Sequence, residues 1–155
     1  MSSYYLDSSA LAKRYLTEVG STWIIGLTDP TAGHQILVAG IALVEVAAAL
    51  AARHRAQNGI SLQERDRAIT LIRRHFATAY AVSGTDRLTL DVATELTQRQ
   101  RLRGYDAVQL ATALAASAAL RTAGLPNLTF VAADADLLAA AHAEGLATID
   151  QNLHR

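Results

Sequence analysis

Short apolar segments alternate with longer amphipathic or alanine-rich segments along this chain. The short segments predict strands at Tyr4–Leu6, Gln35–Ala39, Tyr80–Val82, Thr129–Ala132 and Ala147–Ile149. Strands that are apolar on both sides are typical of a parallel sheet covered by helices on both faces. The pattern therefore predicts an α/β protein, with a three-layer α/β/α domain and a short-stranded, mainly parallel central sheet.

The longer segments have the spacing and the end signals of helices. Ser61 and Glu64 form a capping-box pattern, and Asn58-Gly59 is a stop signal. With 155 residues, 51% of them hydrophobic, and no low-complexity linker, the chain fits one domain, 1–155. Helices are predicted at Ser8–Leu16, Ser21–Asp29, Ala42–Gln57, Ser61–Phe76, Asp86–Arg99, Asp106–Thr122 and Ala135–Glu144.

The amino-acid composition says more about the cellular compartment of the protein than about its function. The chain has no cysteine, which excludes disulfides and thiolate metal sites. The longest apolar run, Ile36–Ala52, contains Glu45 at its middle, and a central carboxylate opposes membrane insertion by roughly 3 kcal/mol. We therefore predict a cytoplasmic protein without a membrane span. Lys plus Arg and Asp plus Glu are both 14, so net charge does not decide whether a partner is a nucleic acid.

Three acidic residues occupy comparable places at the starts of helices. Asp7 follows the first predicted strand, Asp134 follows the strand Thr129–Ala132, and Asp106 opens the long helix. Each could be a cap or a first-turn acid that offsets the helix dipole. The carboxyl ends of parallel strands share one edge, however, and that edge is where ligands bind. Asp7 and Asp134 are therefore expected on the same rim of the sheet.

Glu45 adds a fourth carboxylate, because it is the only charge between Ile36 and Ala52 and projects from an apolar helix face. A buried carboxylate normally pairs with a basic side chain or binds a metal, and the sequence leaves both alternatives open. Carboxylates without cysteine or paired histidine select Mg²⁺ or Mn²⁺. Such ions activate water and clamp phosphoryl oxygens in phosphodiester cleavage. The residues thus indicate metal-assisted hydrolysis.

Four segments in this order resemble PIN-domain proteins, and more narrowly the VapC-type toxin ribonucleases of type II toxin–antitoxin systems. They are LDSSALAKRYLTEVGS, LVEVAAALAAR, LRGYDAVQLATALA and FVAADADLLAAAHAEGL. The resemblance covers essentially the whole chain. It implies a PIN-like fold in which four acids at the sheet edge are both the catalytic and the metal-binding residues: Asp7, Glu45, Asp106 and Asp134.

The resemblance also implies an activity and partners. It implies an endoribonuclease toxin that depends on Mg²⁺ or Mn²⁺, is inhibited by a cognate VapB-like antitoxin and pairs as a homodimer. In this hypothesis Asp7, Glu45 and Asp106 hold one ion, and Asp134 lies near a second ion or an outer water. The alternatives are a structure-specific nuclease and an inactive PIN-like scaffold that binds RNA or protein without cutting.

Two positions depart from the family pattern. Ala133 stands where the family often has Thr or Ser, and Gln109 stands where it frequently has His. Both departures leave the number of metal ions open, and Asp136 or Ser9 could assist the site. Four basic residues near the motifs are candidates for contacts to RNA phosphates, the alternative being ordinary solvated surface positions: Lys13, Arg14, Arg101 and Arg103.

Overall fold

A computed structural model describes residues 1–154 and places five parallel strands in one sheet. The strands are β1 (Ser3–Leu6), β2 (Gln35–Ala39), β3 (Ala81–Ser83), β4 (Leu128–Ala132) and β5 (Ala147–Asp150). The helices are α1 (Ser8–Ala12), α2 (Ser21–Leu27), α3 (Ile41–Arg55), α4 (Leu62–Thr78), α5 (Arg87–Arg99), α6 (Gly104–Thr122) and α7 (Ala135–Ala143). Short 3₁₀ turns span Pro30–Ala32 and Gln151–Leu153.

The strand order is β3-β2-β1-β4-β5, and the two faces of the sheet bury separate cores. Tyr5 and Phe130 lie side by side on one face, with stacked rings 5.5 Å apart, and pack with α5, α6 and α7. Leu6 and Val131 point to the other face and pack with α1 to α4. The predicted three-layer α/β/α fold is confirmed.

The first helix is shorter than its sequence pattern predicts. It ends at Ala12 rather than Leu16, because the following amides bond to carbonyls three residues back, as in Lys13 N to Ala10 O at 3.2 Å. The Lys13 side chain turns inward, where its amine donates to the Val19 carbonyl at 2.6 Å. The amphipathic spacing continues beyond Ala12, but the backbone hydrogen bonds of α1 do not. The predicted capping box at Ser61 and Glu64 is confirmed.

The long apolar run of the sequence is not one helix. It divides into β2 and α3, which are joined at Gly40, and Glu45 lies in the second turn of α3. Across residues 1–154, no helix combines the length and the hydropathy that crossing a membrane would require.

The core around α6 provides a test of the packing. Leu110 is fully buried there, so Leu110→Ala is expected to lower the free energy of unfolding by about 2–5 kcal/mol through lost burial and the cavity left behind. Leu88→Ala is the matched control, because Leu88 is 71% exposed, and it should change stability by less than about 0.5 kcal/mol. Urea denaturation of both variants measures the difference, and equal effects would contradict this packing.

Candidate active site

The candidate site lies at the carboxyl ends of the central strands. β1 has β2 on one side and β4 on the other. The strand order therefore changes direction beside β1, which is the topological switch point of the sheet. Ligands of open α/β sheets bind outside the strand ends at such a switch point. Asp7 directly follows β1, and its backbone N–H donates to the Val131 carbonyl of β4 at 3.2 Å. Asp134 follows β4 on the same edge, as the sequence predicted.

Asp7 is both a helix cap and a buried carboxylate. Its Oδ1 accepts a hydrogen bond from the Ala10 N–H at 2.8 Å, and the Ser9 hydroxyl lies 2.7 and 2.9 Å from its two oxygens. The side chain is only 3% exposed. Burial raises the pKa of Asp7 to about 6 against the lowering effect of these hydrogen bonds, and the nearby charge of Asp106 raises it further. The cap and site interpretations are therefore compatible.

Asp106 and Asp134 line one shallow pocket of about 300 Å³ at the starts of α6 and α7. Asp134 is the cap of α7, and its Oδ1 accepts from the Leu137 N–H at 2.9 Å. Asp106 lies in the first turn of α6 and does not cap it. Burial raises the pKa of the Asp106 carboxyl; Arg103 opposes this rise and the charge of Asp134 adds to it. The charge of Asp106 thus disfavours ionisation of Asp7, and the charge of Asp134 disfavours ionisation of Asp106.

Glu45 reaches the site through Gln109. The Gln109 amide is 1% exposed, donates to Ser8 Oγ at 2.7 Å and lies 3.4 Å from Glu45 Oε1. Its own carbonyl oxygen accepts from the Tyr5 hydroxyl at 2.7 Å. Burial raises the pKa of Tyr5, and the charges of Asp7 and Glu45 raise it further, so the phenol stays a neutral donor.

Two features of this network correct or extend the sequence hypothesis. The ion pairs formed within residues 1–154 do not include Glu45, so the salt-bridge alternative for this carboxylate is wrong there. The sequence had singled out Gln109 only as a departure from the family. Its position three residues after Asp106 on α6, where side chains share a helix face, was the available signal for a place beside the acids.

The predicted phosphate-binding residues divide into two groups. Arg103 lies 3.6 Å from Asp106 and Arg101 lies 3.8 Å from Asp136, and their side chains are 87% and 94% exposed. Exposed pairs of this length hold their partners weakly, so both arginines remain available to an anionic ligand. Lys13 is not available, because its amine is buried within the protein. Arg14 is also used internally, with a bond to the Ile25 carbonyl at 3.2 Å. For these two residues, contact with RNA phosphates stays a prediction that would require them to leave these internal partners.

The four acids have the chemistry of a hard-cation site, but their side chains do not converge on a single position in this structure. All four candidate ligands are carboxylates, and carboxylate oxygens suit Mg²⁺ or Mn²⁺. As placed, no three acidic or histidine side chains of residues 1–154 form a group that could hold a metal ion. Asp106 and Asp134 share one pocket, the charge of Asp106 raises the pKa of Asp7, and Gln109 lies between Ser8 and Glu45.

No protein-family model and no curated protein sequence matches this chain. Solved structures match it over nearly its whole length. FitAB bound to an IR36 DNA fragment has a TM-score of 0.63 at 14% identity, covering 96% of this chain and 94% of that one. Mycobacterium tuberculosis VapC20, a sarcin–ricin loop cleaving toxin, has a TM-score of 0.61 at 16% identity, covering 95% and 98%. FitAcB from Neisseria gonorrhoeae has a TM-score of 0.58 at 12% identity, covering 96% and 97%. The chain therefore has the PIN-like fold that its motifs predicted.

Proposed function

We propose that this protein is a metal-dependent endoribonuclease of the toxin–antitoxin type. What supports the proposal is the buried Asp7 at the switch point of the sheet, together with Asp106 and Asp134 in one pocket and Glu45 beside Gln109. A buried carboxylate without a basic partner is costly, and a divalent cation would relieve both its desolvation and its repulsion by Asp106.

The likeness to VapC20 supports RNA as the substrate, because that protein is described as a toxin that cleaves the sarcin–ricin loop. The sequence motifs of the VapC-type family support a VapB-like antitoxin as the inhibiting partner and a homodimer as the assembly. On this proposal the antitoxin acts by covering the carboxylate edge.

Each residue of the site has a defined task in this proposal. Asp7 is held in place by Ser9 and Ala10, and on this proposal the half-buried Glu45, Asp106 and Asp134 turn towards it when the ion binds. A bound Mg²⁺ or Mn²⁺ would supply water activation and charge neutralisation at the phosphodiester. The exposed Arg101 and Arg103 flank the pocket and would bind the RNA backbone.

The test is a cleavage assay with Mg²⁺ or Mn²⁺ on a structured RNA and on DNA of the same sequence. Asp106→Asn and Asp134→Asn should each slow RNA cleavage at least about 100-fold, a loss of roughly 3 kcal/mol in transition-state stabilisation. Asp136→Asn is the matched control, because Asp136 lines the same pocket but its side chain is 63% exposed. It should cut nearly as fast as the parent.

Two outcomes would contradict the proposal. Cleavage by both Asp106→Asn and Asp134→Asn at the rate of the parent would show that these carboxylates do not carry the reaction. RNA binding without cleavage by the parent would favour the non-catalytic scaffold.

A further inference from the structure

We propose that the C-terminal turn, Gln151–Leu153, positions the two loops that carry Asp7 and Asp134, and that the buried Lys13 anchors this turn. The inference rests on the proposed function, since it concerns how the carboxylate site is held ready for a metal ion. Neither Lys13 nor the turn touches the carboxylates directly, so both are positioning elements.

The turn is hydrogen-bonded to both loops of the site. The Asn152 side-chain amide donates to the Ala133 carbonyl at 3.1 Å. This carbonyl belongs to the peptide bond between Ala133 and Asp134. The buried Gln151 amide donates to the Ser9 carbonyl at 3.2 Å. One short turn therefore holds the backbone at Ala133, next to Asp134, and at Ser9, close to Asp7.

The two loops are also bonded to each other. The Ala133 N–H donates to Ser9 Oγ at 3.1 Å, and the Ser9 hydroxyl lies 2.7 Å from Asp7 Oδ1. A continuous series of hydrogen bonds thus leads from Asn152 through Ala133 and Ser9 to the Asp7 carboxylate. A shift of the turn would change the separation of the two carboxylate loops.

Lys13 holds the other side of Asn152. Its amine is buried, at 6% exposure of the residue, and donates to Asn152 Oδ1 and to the Val19 carbonyl, both at 2.6 Å. A buried ammonium that forms no ion pair within residues 1–154 depends on such acceptors, and hydrogen bonds from a charged donor are strong. Lys13 and Asn152 are therefore coupled, although they are far apart in the sequence.

The backbone around Gly20 lets the turn approach closely. Gly20 has φ of +89°, and a Cβ at this position would lie 2.7 Å from the Gln151 carbonyl oxygen. Beyond the turn, His154 stacks on Trp23 with ring centroids 4.3 Å apart and planes 10° from parallel. Trp23 is the only tryptophan of the chain, so its fluorescence reports whether the C-terminal turn is docked.

The experiment measures Mn²⁺ binding by calorimetry and Trp23 emission of the metal-free full chain. Asn152→Ala and Lys13→Met should each weaken Mn²⁺ binding about 10-fold, the scale on which residues that support metal ligands act. Each should also shift Trp23 emission to longer wavelength, and the double variant should be no weaker than either single one. Leu153→Ala is the matched control, because Leu153 is 79% exposed in the same turn, and it should resemble the parent.

A purely structural turn would give a different result. Asn152→Ala and Lys13→Met would then melt at lower temperatures but bind Mn²⁺ as the parent does when measured well below those temperatures, and this would overturn the inference. A parent chain that binds no Mn²⁺ would overturn the proposed function instead. In that case amide shifts of Ser9 and Ala133 in NMR spectra of metal-free Asn152→Ala still test the positioning, and unchanged shifts would overturn it.

Discussion

Replacing Asp7 by asparagine should abolish RNA cleavage and yet raise the stability of the metal-free protein at pH 7 by about 1–3 kcal/mol in free energy of unfolding. Cleavage is lost because the neutral amide cannot bind the cation as a carboxylate does. Stability rises because the charged form of Asp7 is buried at 3% exposure and repelled by Asp106, and asparagine removes that charge. Asparagine also caps helices as well as aspartate does, so the bond from Ala10 is kept.

The pH dependence of this effect has a defined sign. The folded-state pKa of Asp7 is about 6, raised from 3.8, so the folded chain binds the proton more tightly than the unfolded chain does. This contribution to stability is complete below pH 3.8 and is lost as pH rises through 6. Urea denaturation of chelator-treated protein between pH 4 and pH 7 should show the parent losing this contribution and Asp7→Asn not losing it.

Asp86→Asn is the matched control for Asp7→Asn. Asp86 also caps a helix, with Oδ1 accepting from the Thr89 N–H at 2.8 Å, but it is exposed, and these hydrogen bonds lower its pKa. Its replacement should therefore leave cleavage unchanged and bring no gain in stability at pH 7. An Asp7→Asn variant that cleaves RNA, or that is less stable than the parent at pH 7, would contradict the description of Asp7.

Gln109→Leu should lower the free energy of unfolding by about 2–4 kcal/mol and slow RNA cleavage at least about 10-fold. The change leaves the buried Tyr5 hydroxyl without its acceptor and removes the donor to Ser8. It also removes the amide beside Glu45, which frees that carboxylate from the position that the network gives it. Denaturation and single-turnover cleavage measure the two effects.

The double variant Tyr5→Phe/Gln109→Leu separates the two effects. Removing both buried partners avoids the unsatisfied hydroxyl, so the double variant should recover a large part of the stability lost by Gln109→Leu alone. Cleavage should stay slow, because Glu45 is still without the amide of Gln109. Stability losses that simply add in the double variant would show that Tyr5 and Gln109 are not coupled.

The local sequence determined the layers of the fold and the location of two of the four site carboxylates. The apolar strands and the spacing of the helices required a parallel sheet with two buried faces. Asp7 directly follows β1, and Asp134 follows β4 after one residue. Parallel strands end at one edge, so the shared location of these two acids needed no tertiary information. Glu45 stood out because a lone carboxylate on an apolar helix must find a partner.

Only the tertiary structure decided which partners these groups found. Gln109 joins Tyr5, Ser8 and Glu45, and Lys13, which follows the end of α1, turns inward to Asn152. Such contacts connect residues that are distant in the chain, and each depends on where whole elements pack. Periodicity records which face of an element is buried, whereas the partner of a buried polar group is chosen by the neighbouring elements, whose identity the local pattern does not contain.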